Sequence, residues 1–206
     1  MNQDTNYPNL FKLLEITRCM PQYGYALSGM KKQDLSDLAQ HQYIVSMIAW
    51  QVCDYLIANG VAIDETKCMK MGLIHDIGEL FGGDISWYYA RANSQARIHA
   101  KAFEVENVKF MDKFFPANTS FTQLHEELFA EKTLESIVAK IADYIELVHF
   151  KFLMKMLTQR DIDSGMEALL AKCKKVGDEK TRSLLEKFVT DWHSNFDTKS
   201  VDELLA

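Results

Sequence analysis

His41, the adjacent pair His75-Asp76, and Asp143 are the residues of this chain whose types and placement could do chemistry together. Each stands in or beside an apolar stretch: Tyr43-Ile44-Val45 follows the first, Gly72-Leu73-Ile74 precedes the pair, and Ile141-Ala142 precedes the last. Polar groups in such surroundings cost roughly 2–7 kcal/mol each unless something satisfies them. Two imidazoles and two carboxylates converging from three helices would be satisfied by one divalent cation. A mixed nitrogen and oxygen donor set suits Mn, Fe, Co, Ni or Zn better than calcium or a copper thiolate centre. Glu79 and Asp84 follow within eight residues of the pair, in a stretch broken by Gly78, Gly82 and Gly83, which fits a functional turn better than a solvated loop.

The elements that must position these side chains read as helices. The chain has 206 residues, 48% hydrophobic and 25% charged, with only three prolines and nine glycines. That composition excludes disorder and collagen-like or coiled-coil architectures, and a sandwich or barrel needs more turn residues than these. A first short helix is expected over 9–20, ending before Pro21, and a loop over 21–36. Asp37 is placed to cap a long helix to about Ala58, with Ile44, Ile48, Val52, Tyr55 and Leu56 in its apolar stripe. Asp64 opens a third helix running to about Asp76, so the His-Asp pair falls at a helix end. Further helices are expected over 87–89, 96–115, 122–131, 133–157, 161–175 and 179–193. The expectation is an all-α, single compact bundle of about eight or nine helices, one domain over 9–195 with a frayed tail over 196–206.

Charge narrows the partners. There are 23 basic and 29 acidic residues, a net −6, which argues against nucleic acid held on a basic face. A small anionic substrate remains compatible, because a bound cation can be the largest local charge in a site. Cys19, Cys53, Cys68 and Cys173 are scattered and read as reduced thiols of a cytoplasmic protein. The first residues carry no basic start or apolar core of a signal peptide, and no window of 18 uninterrupted apolar residues suggests a membrane span.

A lone histidine, a His-Asp pair 34 residues on and a late aspartate, all on helices, resemble the HD-domain metal-dependent phosphohydrolase superfamily. Within it, His75-Asp76-Ile77-Gly78-Glu79-Leu80 followed by Gly83-Asp84-Ile85 is similar to the signature of the bacterial HD-domain 5'-deoxynucleotidases. Lys140-Ile141-Ala142-Asp143 resembles the segment that carries that family's last ligand. The resemblance implies His41, His75, Asp76 and Asp143 as ligands of one divalent transition metal. It implies Glu79 and Asp84 as the acids that orient and deprotonate a water, and Arg18 as the phosphate contact. It further implies a small phosphorylated substrate, a nucleoside 5'-monophosphate, and a homodimer. The chain departs from the family at Gln40, Gln42 and Ser86, and at Cys19-Met20, around the substrate pocket rather than at the ligands.

Two other readings stand beside this one, the first kept open by those departures. One is a non-catalytic, metal-containing module that binds a nucleotide or protein partner; the other is an HD phosphodiesterase or triphosphohydrolase. Glu79 with Asp84 favours chemistry, since a purely structural site gains nothing from two further acids. Arg91 and Arg97 read as a solvated face, and His99, His125, His149 and His193 as surface or satisfied core residues.

Overall fold

Asp37 decides where the central helix begins. Its carboxylate accepts from the Gln40 backbone N–H at 2.8 Å, satisfying one of the donors that every helix start leaves free. The structure, a computed structural model, describes residues 6–116, 121–196, 199 and 201–205. Ten α-helices run in the order α1 (Tyr7–Glu15), α2 (Leu38–Ala58), α3 (Glu65–Ile74), α4 (Trp87–Ala92), α5 (Ser94–Asp112), α6 (Phe121–Ala130), α7 (Leu134–Leu153), α8 (Gln159–Cys173), α9 (Glu179–Asn195) and α10 (Val201–Leu205), with no strand among the described residues. The all-α expectation holds.

Helices α2, α3 and α7 carry the core, backed by α8 and α9. Val45, Ala49, Val52, Cys53 and Leu56 of α2 face Ile137, Val138, Ile141, Ala142 and Ile145 of α7, with Leu169, Leu185 and Val189 closing the far side. Burying a side chain of the Val, Leu or Ile size is worth ~1.5–3 kcal/mol, so this layer fixes the relative placement of the helices. Thr133 and Ser136 close a reciprocal capping box that starts α7. Asp64 caps α3 through the Lys67 N–H at 2.9 Å.

A second, smaller core holds the segment after the His-Asp pair. Ile77 and Leu80 of a 3₁₀ turn pack with Val108 and Met111 of α5 and with Phe121. Asn107 donates to the Gly78 carbonyl at 2.7 Å, tying that turn to α5.

Three local differences from the sequence expectation have simple causes. The first helix turns 3₁₀ at Ile16–Cys19, tightening before Pro21. The stretch expected as plain loop contains two 3₁₀ turns and is pinned at its base. There Gln22 N donates to Ser36 O at 2.9 Å and Leu38 N to Met20 O at 3.0 Å. Beyond Asn195, part of the expected tail lies outside the described residues, and Val201–Leu205 is helical.

Close approach of α2 and α3 depends on Gly72. A Cβ there would stand 2.7 Å from Ser46 Oγ and 2.9 Å from Ser46 Cα, and backbone cannot yield as a flexible side chain can. Gly72→Ala would gain up to ~1 kcal/mol of helix propensity, yet overpacking costs ~1–3 kcal/mol. The variant is therefore expected to be less stable than the parent in urea unfolding. A higher midpoint would show that the helices separate freely.

Candidate functional site

Three helices deliver the four expected ligand residues to one place. His41 lies in the first turn of α2, His75 caps the C-terminus of α3 with Asp76 next to it, and Asp143 sits midway along α7. His41 Nε2 is 2.9 Å from His75 Nε2. Asp76 Oδ2 is 3.4 Å from the first nitrogen and 3.2 Å from the second. Asp143 Oδ1 is 3.5 and 3.6 Å from the same two atoms.

The other side of each ring sets what those nitrogens can do. His41 Nδ1 faces Glu146 Oε2 at 2.7 Å and His75 Nδ1 faces the Gly72 carbonyl at 2.8 Å. Both partners are acceptors, so each ring keeps a proton on Nδ1 and, when neutral, turns an Nε2 lone pair inward. Two lone pairs and two carboxylate oxygens then converge on one point, an arrangement that a cation must balance. Without a metal, the surrounding carboxylates favour protonation of the imidazoles. Burial pulls the His75 pKa down, but Asp76 and Asp143 outweigh it and set it at about 9. Burial opposes charge on His41 as well, and Asp143, Asp76 and Glu146 hold it well above the ordinary value. Asp143 stays ionised despite burial because Lys140, 3.6 Å away, and His75 stabilise its charge. His41, His75 and Asp76 form a group that could hold a metal ion, and the hydrogen-bonded Nδ1 of each ring is the support that metal-binding histidines need.

Acids whose pKa values are raised stand beside this cluster. Asp84 Oδ2 accepts from the Gly24 backbone N–H at 2.5 Å. Burial raises its pKa, Gly24 works against that, Asp76 adds to it, and the result is about 6. Glu79 is pushed well up by burial and by Asp76, Asp84 and Glu104. Burial and Asp76 bring Glu104, on α5, to about 7. Carboxyls poised near neutrality are what proton transfer at that pH requires.

A pocket of about 850 Å³, its mouth included, opens from His41, Asp76, Asp84 and Asp143. Tyr25, Trp87, Tyr88 and Tyr144 line it further along, and Lys151 and Asp161 stand at its other end. Arg18 is not brought to it: the side chain is 70% exposed and its Nε lies 2.9 Å from Glu15 Oε2, the pairing that a 3₁₀ extension of α1 naturally allows. Glu79 stands beside the cluster without lining the pocket. Of the residues set aside in the sequence, Arg91 stacks over Trp87 at 5.2 Å, and His149 Nε2 accepts from Trp192 at 3.0 Å.

Glu146, Glu104 and Lys151 were not singled out in the sequence. Glu146 carried a signal, an acid three residues after Asp143 in the apolar run Ile145–Val148. Lys151 carried none, since its partner Asp161 belongs to the next helix.

The HD-domain family profile matches residues 28–186, which include all four clustered residues. The chain belongs to the HD-domain family. It is 27% identical over 143 residues to the 5'-deoxynucleotidase HDDC2 of Danio rerio, a match covering 69% of this chain and 66% of that protein, just under two thirds of its length. The fold is shared with a conserved hypothetical protein from Pyrococcus furiosus (TM-score 0.65, 21% identity, covering 89% of this chain and 96% of that one). It is shared as well with the PH0347 protein from Pyrococcus horikoshii (TM-score 0.68, 19% identity, 90% and 98% covered).

His125 corrects the sequence reading of a satisfied core histidine. It is 1% exposed, edge-on to Phe129 at 4.2 Å between ring centroids, and its Nε2 has no hydrogen-bond partner among the described residues. Burial, with Lys140 nearby, drives its pKa from 6.5 to about 3. Between those values the unfolded chain binds the extra proton. This histidine therefore favours folding fully above pH 6.5 and less as pH falls, by up to about 1.4 kcal/mol per unit. His125→Leu is expected to flatten the stability–pH slope between pH 6.5 and 4, measured by urea unfolding; an unchanged slope would contradict the assignment.

Proposed function

We propose that this protein is a metal-dependent phosphohydrolase that acts on nucleoside 5'-monophosphates. The observation that carries the reading is the convergence of two Nε2 lone pairs and two carboxylate oxygens at one end of an aromatic-walled pocket, with proton-holding acids beside them. The name of the Danio rerio relative, a 5'-deoxynucleotidase, supports the substrate class. His41, His75, Asp76 and Asp143 would hold one divalent ion, and their mixed N/O character fits Mn, Fe, Co, Ni or Zn. Such an ion, when bound, supplies Lewis acidity toward a phosphoryl oxygen and lowers a water's pKa from about 15.7 to about 7.

The chain's own residues account for the protons. Hydrolysis of a monoester forms one bond from water oxygen to phosphorus and breaks the bond from phosphorus to the 5' oxygen. One proton must leave the water and one must reach the departing oxygen. Asp84 lines the pocket next to Asp76, held by Gly24, and is the group placed to exchange a proton with either. Glu79 lies near enough to Asp76, Asp84 and Glu104 for burial and their charge to raise its pKa, and would serve as a proton reserve beside Asp84. Gly24 must be glycine for this, because a Cβ would stand 2.9 Å from Asp84 Oδ1. Tyr25, Trp87, Tyr88 and Tyr144 offer apolar faces to the nucleoside and limit water at the reacting end.

Phosphate release from a panel of nucleoside 5'-monophosphates, with Mn, Co, Ni or Mg added, tests the reading. Asp84→Asn and Glu79→Gln are expected to keep the metal and lose kcat by roughly 10²–10⁴-fold and up to that range respectively. Wild-type turnover in both would remove the acids from the chemistry. Absence of release from every mononucleotide would overturn the assignment.

A further inference from the structure

Asp143 and Lys151 lie eight residues apart on α7, about 12 Å along a helix that rises 1.5 Å per residue, and both face the pocket. The far end of the pocket is thus separated from the ligand cluster by about the length of a nucleoside. Lys151 is an unusual residue to find there, 4% exposed. Its Nζ donates to Asp161 Oδ1 at 2.6 Å, and among the described residues that is its one hydrogen bond. The ammonium group has three donors, so two remain without a hydrogen-bond acceptor, although the group also lies over the Tyr88 ring at 5.4 Å.

Asp161 is in the opposite condition. Oδ1 accepts from Tyr88 Oη and Lys151 Nζ, both at 2.6 Å; Oδ2 accepts from Thr158 Oγ1 at 2.6 Å and Thr158 N at 3.0 Å. Those four fill the sites a carboxylate has. The Lys151–Asp161 pair therefore has donors to give and no acceptor to offer. A buried pair of opposite charges also has no net charge to attract a second phosphate, which would stand against Asp161. Arg160 rests on Tyr88 at 5.7 Å but is exposed and does not line the pocket. The polar partner that fits is a neutral acceptor. Gln22, 6% exposed on the same pocket wall, has an Oε1 with no hydrogen-bond partner among the described residues, an acceptor that a ring N–H of a keto base would satisfy.

We propose that Lys151, oriented by Asp161, selects the base of the nucleotide by donating to a keto oxygen, so that uracil, thymine and guanine nucleotides are preferred to cytosine and adenine ones. In those bases a carbonyl occupies the position that an exocyclic amine, itself a donor, takes in cytosine and adenine. The amine would meet the donors of Lys151 and find Asp161 already filled. This inference rests on the nucleotidase reading above and names what that pocket selects.

The experiment compares dUMP with dCMP, and dGMP with dAMP, as kcat/KM on the wild-type protein at fixed metal. In parallel, calorimetry measures binding of deoxyuridine and deoxycytidine, which carry no phosphate. The keto member of each pair is expected to be favoured about tenfold or more, the size of a hydrogen bond to a charged donor. Lys151→Met should bring the ratio close to one by losing the keto member. Should that variant fail to fold, judged by circular dichroism, the wild-type pairs decide alone. Equal use of the two members, a preference for the amino base, or a ratio that survives in folded Lys151→Met would overturn the proposal. So would a nucleoside 3',5'-bisphosphate preferred to all four monophosphates, which would make this end an anion site. Keto-selective nucleoside binding without phosphate release from any nucleotide would sink the hydrolytic reading and leave the base contact standing.

Discussion

Two imidazole nitrogens face each other across 2.9 Å with both ring protons committed elsewhere, one to Glu146 and one to the Gly72 carbonyl. Asp76 and Asp143 press two carboxylate oxygens against the same point. Nothing about neutral side chains makes such a meeting favourable; it persists because the helices beneath it are locked by their own packing and because a positive charge balances it. The site is held by the core. Gly72 serves it twice, through the close contact of α3 with Ser46 of α2 and through the carbonyl that orients His75.

Charge around the cluster is graded rather than uniform. Lys140 steadies Asp143, so that ligand stays ionised in a buried place. On the other flank burial and the charge of Asp76 raise the pKa values of Asp84, Glu79 and Glu104. One side of the site is fixed in charge and the other is able to exchange protons. The pocket runs away from this divide along α7 to the Lys151–Asp161 pair, where the charges cancel. With a cation at the cluster, as proposed above, an anionic group would sit at one end of the pocket and a neutral, polar one at the other.

Much of this was legible in the sequence because it is local. Asp37 and Asp64 announce helix starts by type and position, and the apolar spacing of α2 and α7 marks the faces that meet. The His75-Asp76 pair, with His41 and Asp143 each beside an apolar run, suggested polar groups in need of a common partner, and the fold brings all four together. What was illegible is non-local. The Lys151–Asp161–Tyr88 network joins residues of three helices, and each of them alone looks like a surface residue. Glu104 meets the site only because Gly78 lets the 77–81 turn press onto α5. Arg18 shows the converse: a motif position suggested a phosphate contact, but a neighbouring Glu15 within one turn claims the guanidinium. His125 read as an ordinary core residue, and its lack of a partner appears only when the surrounding α5, α6 and α7 are in place.

Whether the four converging atoms form a metal centre is decided by metal content and X-ray absorption on the purified protein. After loading with Mn or Zn and removal of excess, the account predicts one divalent ion per chain, two imidazole nitrogens and carboxylate oxygens around it, and a melting temperature raised over the metal-free protein, since binding to the native state alone adds to its stability. Less than a tenth of an ion per chain with no change in melting temperature, or an ion whose coordination contains no imidazole, would contradict it.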